Sequence, residues 1–541
     1  MTGRFSGKLQ TLAGAAVLIS VVTLLSRILG FARSIAQAKW VGTGGVAEHY
    51  AVANQLPNIL FEVVAGGALA GAVIPLLAGA IAKNAKSDIS RTASALLTWT
   101  LGALVPLAII VAVFAPQIIN LTSNLGQTEH AATASTFLVI FAVQIPLYGI
   151  GVVFGGVLQA HRRFLWPALA PMFSSLVVIV AYFVFGQLAQ GNQQNIDLLT
   201  TNALGVLAWG TTAGVLAMAL TMIGPIRSLS LNLRPTLRFP GNMGRRARNL
   251  ALAGVGALVA QQLTMLVVMK VATTFGTDQT FNVFQYSQAV YVLPYAVMVV
   301  PLATSTFPRI SALAAQANTV AFNALTAGTT RALLAISAMG AAALIAAAKP
   351  LEAFFETFTR GGVPGMGLAI AWTAPGLIGF SMIFHLSRIL YAKDNGRAAV
   401  IGAATGWLSA AVLTAVLPML PQFAGRSDLA LAIIGGSQSV GMTIAWFILL
   451  AAVARDCGKQ AVAGTIKTSV LSVVGVAIGA VAGLQLSGWL LGDGASIWAA
   501  IGVGLVAGLT AGLIVAVVNV IGDRNIVSTL RNMGNVSNTA S

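Results

Sequence analysis

Long apolar stretches alternate with short polar ones along nearly the whole chain. Stretches long enough to cross a bilayer as a helix need roughly 20 residues. They fall at 11–36, 50–80, 92–115, 131–157, 165–186, 202–224 and 249–273. They continue at 283–308, 322–347, 366–387, 398–420, 428–453, 468–487 and 496–520. The pattern predicts an all-α polytopic membrane protein with about fourteen transmembrane helices. Pro57 and Gly66-Gly67 interrupt the second stretch, which predicts a kinked or tilted helix there. The run after the basic N-terminal residues offers no cleavage site before Arg27, so it reads as a retained first span.

Composition agrees with this pattern. The 541 residues are 57% hydrophobic and only 8% charged, against roughly 25% charged in soluble proteins. A surface so poor in charge suits lipid rather than water. The net charge of +17 would suggest a nucleic-acid partner in a soluble protein. Here the basic residues sit mostly in the short gaps between apolar runs, so topology explains them and no nucleic acid is expected. An even number of spans puts both termini on one side. With both in the cytoplasm, the inner segments hold 22 of the 30 basic residues and the outer segments only Lys39, Lys349, Arg360 and Arg426. That bias predicts that both termini are cytoplasmic.

Matched landmarks suggest a tandem repeat. Gly42 pairs with Gly276, Pro75 with Pro308, Pro146 with Pro375, and Leu158-Gln159-Ala160 with Leu390-Tyr391-Ala392. The separations are 234, 233, 229 and 232 positions, nearly constant. This predicts two six-helix lobes of the same orientation, residues 1–230 and 231–457, with a substrate path between them. Residues 458–522 add two helices, and 523–541 form a cytoplasmic tail. The added pair carries two small-residue ladders, Gly475, Gly479, Gly483 and Gly504, Gly508, Gly512. Their spacing of four predicts close packing of the two helices.

The chain has no Walker A motif, no HExxH and a single cysteine, Cys457. Neither an enzyme nor an ATP motor is expected, and no cofactor or metal. Transport would then draw on an ion gradient or the membrane potential. Charges within the spans are the informative exceptions, because lipid-facing charge is costly. Arg27 lies too deep in the first span to snorkel easily to the cytoplasmic surface, so Arg27 and Arg33 are expected to face a watery cavity or an anion, the alternative being that both reach the outer interface and anchor the helix. Lys270 holds the corresponding outer part of the seventh span. Arg331 reads as a snorkelling anchor. Glu62 is the one acid well inside a span, and Asn54, Asn58 and Glu62 recur every four residues on one helix face. Such a stripe either lines a path or joins neighbouring helices.

Several segments resemble the MurJ/MviN family of lipid II flippases, within the multidrug/oligosaccharidyl-lipid/polysaccharide exporter superfamily. They are Ser26-Arg27-Ile28-Leu29-Gly30-Phe31-Ala32-Arg33, Leu56-Pro57-Asn58, Ala65-Gly66-Gly67-Ala68, Ala160-His161-Arg162-Arg163-Phe164 and Pro167-Ala168-Leu169-Ala170-Pro171. The resemblance implies two six-helix lobes, two added helices and alternating access. It also implies that Arg27 and Arg33 meet the diphosphate of a lipid-linked precursor, with membrane lipids and the cell-wall synthesis machinery as partners. Glu48 stands where the family commonly has an aspartate. Phe61 and Ala289 stand where it often has basic residues, and Lys270 is a candidate replacement. The expected substrate is an undecaprenyl-diphosphate-linked peptidoglycan precursor. The alternatives are a cation-coupled drug or metabolite exporter that relies on Glu62, and a non-transporting scaffold of the cell-wall machinery.

Overall fold

The computed structural model describes residues 12–63, 70–240, 243–244, 255–492 and 494–523. Every regular element among the described residues is helical. The chain divides into two compact units, Met1–Gln262 and Leu263–Ser541.

The first unit holds α1 (Leu12–Trp40), α2 (Val46–Phe61), α3 (Ala70–Ala82), α4 (Lys86–Val113) and α5 (Ala115–Thr122). It continues with α6 (Ala131–Ala142), α7 (Gln144–Ala160), α8 (Leu165–Leu188) and α9 (Thr201–Arg227). The division falls inside α10 (Val255–Phe275). The second unit then runs through α11 (Thr280–Pro294), α12 (Val300–Ala315), α13 (Thr319–Ala346), α14 (Ala348–Glu356) and α15 (Met366–Thr373). It ends with α16 (Gly376–Ala392), α17 (Gly396–Val416), α18 (Ala430–Cys457), α19 (Thr465–Leu490) and α20 (Ile497–Gly522).

The same succession of elements occurs twice. The fourth helix of each series, α4 and α13, has 28 residues. The seventh, α7 and α16, has 17. A short helix follows α4 and α13 alike. The breaks before α7 and α16 come from proline. Pro146 has no N–H to donate, and its ring crowds the carbonyl four residues back, at Ala142, where α6 stops. Pro375 plays the same part between α15 and α16, which bend by 46°. Gly42 follows α1 at φ +93°, a left-handed turn that glycine adopts without strain. Its partner Gly276 is needed for space instead, since a Cβ there would lie 2.5 Å from the Ala272 carbonyl oxygen.

Twelve spans among the described residues are long and apolar enough to cross a membrane, or thirteen if the bent α15–α16 pair is one crossing. The expectation of about fourteen is thus met only to twelve or thirteen. The missing member is the stretch at 50–80. It falls on α2 and α3, and residues 64–69, with Gly66-Gly67, lie outside the described residues.

Apolar side chains of α3, α4, α7, α8 and α9 form one core in the first unit, with Leu77, Leu96, Val153, Val157, Ala170 and Met222 among its members. In the second unit α13 is the hub. It packs on α18's neighbour α16 and on both C-terminal helices. The first ladder packs as expected: a Cβ on Gly479 of α19 would meet the Ala511 carbonyl of α20 at 2.6 Å. The second ladder turns elsewhere. Gly508 and Gly512 face Ala343 and Met339 of α13, and Gly504 faces Pro350 of α14. Arg331 is more than an anchor. Its Nη1 pairs with Asp523 Oδ2 at 3.0 Å, and Thr468 Oγ1 donates to the same carboxylate oxygen at 3.3 Å. That cluster ties α13 to the start of α19 and to the residue that follows α20.

Candidate functional site

α1 is positioned by α8. Trp40 meets the Phe183 ring edge-on at 5.4 Å, and the Tyr182 hydroxyl lies 3.4 Å from Gln37 Oε1. α2 is positioned by α6, whose Phe137 and Phe141 pack edge-on against Tyr50. The Tyr50 hydroxyl is buried and meets the hydroxyls of Tyr182 at 2.8 Å and Thr211 at 3.0 Å. A buried polar group needs such partners. This network fixes α2 against α8 and α9.

Arg27 and Arg33 are both exposed on α1. On α2, Asn54 and Asn58 are half-buried and Glu62 is exposed. Arg27 lies close enough to Glu62 to interact with it through space. Tyr148 of α7 is the residue where the cluster meets. Its hydroxyl donates to Asn58 Oδ1 at 2.9 Å. Its ring packs on Phe61 at a tilt of 34°, with centroids 4.4 Å apart. It is also within electrostatic range of Arg33, Glu62 and Tyr50. Thus Arg27, Arg33, Asn58 and Glu62 belong to one polar neighbourhood of the first unit, which carries two cations and one acid.

Asn54, one turn earlier, has a buried Oδ1 with no hydrogen-bond partner among the described residues. Glu48 is buried in the first turn of α2, away from the stripe's exposed end. Lys270 belongs to the second unit, where it is half-buried on α10 and its carbonyl accepts from Thr273 Oγ1 at 3.2 Å. Phe61 packs on Tyr148 and offers no charge. Ala289 is half-buried on α11, a helix with no basic residue.

The sequence reading missed Tyr148 and Tyr50. Each is a single hydroxyl in an apolar run, and nothing in its local spacing sets it apart. It also missed a backbone feature. Glu62 and Val63 form a widened, π-helical turn, and so do Tyr295–Val299 after α11. Tyr295 lies 233 positions after Glu62, the separation that relates Pro308 to Pro75. Such turns are frequent at functional sites because they re-aim side chains. In the second unit Pro294 and Pro301 flank the turn, and neither can donate a backbone hydrogen bond.

The family model described as lipid II flippase MurJ matches residues 37–503. The chain belongs to the MurJ family. MurJ-type relatives named as such are distant in sequence. A "Probable lipid II flippase MurJ" of Rhizobium tropici is 28% identical over 302 residues, 54% of this chain and 54% of the relative. The chain therefore spans about half the length of that relative. A "Lipid II flippase MurJ" of Burkholderia cenocepacia is 26% identical over 395 residues, 70% of this chain and 73% of the relative. The solved structure of a lipid II flippase MurJ in an inward closed conformation aligns with TM-score 0.72 at 20% identity. It covers 94% of this chain and 100% of that one. An inward-facing MATE family transporter of the MOP superfamily aligns with TM-score 0.64 at 14% identity, covering 81% and 98%. The structural likenesses show an all-α fold, and family membership with the many long apolar helices makes the chain a multi-pass protein of the bacterial inner membrane.

Proposed function

We propose that this MurJ-family chain moves lipid II, an undecaprenyl-diphosphate-linked peptidoglycan precursor, from the inner to the outer leaflet by alternating access. Family membership over residues 37–503 supports the substrate class. The observation that carries the reading is the cluster on α1, α2 and α7. Two exposed arginines stand against one acid, so the neighbourhood keeps a positive balance suited to a diphosphate. Arg27 and Arg33 hold the anion, Asn54 and Asn58 offer polar contacts, and Glu62 is the counter-ion that the substrate displaces. Glu48 is a buried support of α2. A cation-coupled exporter would need Glu62 to dominate, and Arg27 beside it argues against that. The chain is a transporter rather than a catalyst, and its partners are the lipid-linked substrate, membrane lipids and the cell-wall synthesis machinery.

The test is rescue. Cells depleted of their own lipid II flippase should grow when this chain is expressed, and failure at normal membrane levels would refute the reading. The charge bias further places both termini and the 226–248 segment in the cytoplasm. With Cys457 replaced by Ala, an Arg245→Cys variant should resist an impermeant thiol reagent added to intact cells. Rapid labelling would reverse the topology.

A further inference from the structure

The second unit holds a cation that the sequence pattern assigned to a polar inner segment after a span ending at 387. The helix does not end there. α16 continues to Ala392, so Arg388 lies within it, one turn from its end. The guanidinium carbon sits 3.8 Å from the centre of the Phe384 ring and 5.7 Å from that of Phe307. Nη1 donates to Thr304 Oγ1 at 3.1 Å. Tyr295, first residue of the π-helical turn, interacts with Arg388 through space and packs edge-on against Phe384 at 5.5 Å. No carboxylate pairs with Arg388 among the described residues.

Four physical facts point the same way. A guanidinium offers five N–H donors, and among the described residues this one has a single hydrogen bond, to Thr304. A half-buried charge without a counter-ion is costly. The aromatic face stabilises the cation and fixes its plane while leaving its edge donors for a ligand. A fixed planar fork matches phosphate oxygens. We propose that Arg388, braced by Phe384 and assisted by Thr304, is a second phosphate-binding site of this chain, taking the diphosphate of the lipid-linked substrate. The assignment rests on the lipid II reading above for the identity of the lipid. It does not involve the first unit's cluster.

The test uses the purified full-length protein in nanodiscs, with fluorescent lipid II as one probe and phosphatidylglycerol as the other. Arg388→Gln should weaken lipid II binding about tenfold, the scale of losing charge-assisted hydrogen bonds to phosphate, and leave phosphatidylglycerol retention unchanged. Arg388→Lys should fall between, because it keeps the charge and loses the fork. Equal lipid II binding by wild type and Arg388→Gln overturns the proposal. So does loss of phosphatidylglycerol alone, which makes the site one for bulk phospholipid. If Arg388→Gln does not fold, Arg388→Lys and Thr304→Val carry the test, each expected to weaken lipid II binding about threefold. Unchanged binding in both overturns the site. Wild-type protein that binds no lipid II refutes the functional reading itself, and this inference with it.

Discussion

The two units place different chemistry at the same point of the repeat. In the first, the π-helical turn opens with Glu62, set against Arg27 of α1. In the second, it opens with Tyr295, set against Arg388 of α16. One scaffold thus yields an acid–base neighbourhood in one copy and an aromatic-braced cation in the other. The fourth helices differ as well. α4 leaves Trp99, Ile109, Ile110 and Val113 exposed, whereas α13 buries 17 of its 28 residues. The reason is the added pair: α19 and α20 pack against α13, and among the described residues α4 has no such pair of helices against it. The two series share the lengths of their fourth and seventh helices and the proline break before the seventh. Their side chains are free to diverge wherever packing does not hold them.

The sharpest break of this comparison is expected at α1. Arg27→Ala or Arg33→Ala should abolish rescue of flippase-depleted cells while leaving the protein in the membrane. Lysine should restore part of the function at Arg33 and less at Arg27, where a bidentate grip is inferred. Normal growth with either alanine variant would remove the first unit's claim to the substrate.

Next comes the clamp that distinguishes α13 from α4. Asp523→Ala strands Arg331, whose side chain is 17% exposed, beside Thr468. Removing one partner of a largely buried pair costs about 3 kcal/mol or more. A thermal melt of the detergent-purified protein should shift down by several degrees. The double change Arg331→Leu with Asp523→Leu should recover most of the loss. Equal melting of all three proteins would show that small-residue packing alone holds α19 and α20.

A smaller effect is expected at Glu62. Glu62→Gln removes the acid that competes with an anionic substrate for Arg27, so lipid II binding should tighten a few-fold and turnover should slow. If Glu62 couples protons instead, the same change should erase the pH dependence of transport. Identical rates at every pH would leave only a structural role.

The smallest is Tyr148→Phe. It removes one hydrogen bond to Asn58, worth about 1 kcal/mol, and keeps the ring contact with Phe61. Transport should fall several-fold with unchanged stability if the hydroxyl orients Asn58 for substrate. A silent variant would reduce Tyr148 to packing.

The sequence by itself determined the class of structure and much of the candidate site's membership. Bilayer thickness sets the length of apolar runs, and the cost of charge in lipid marks the exceptions. So most of the spans could be read without coordinates, and the outliers Arg27, Arg33 and Glu62 could be singled out. Helix periodicity put Asn54, Asn58 and Glu62 on one face. Local spacing could not reveal a partner on a distant helix. Tyr148 meets Asn58 across 90 positions, and Tyr50 meets Tyr182 across 132. The ladder on α20 carries no mark that says it faces α13 rather than α19. Arg331 finds its acid 192 positions away. Arg388 looked like an ordinary residue at the end of a span until α16 proved one turn longer and brought it onto Phe384 and Thr304. Solvent preference acts residue by residue and is written along the chain. Pairing depends on which helix faces which, and the packing of the folded chain decided that.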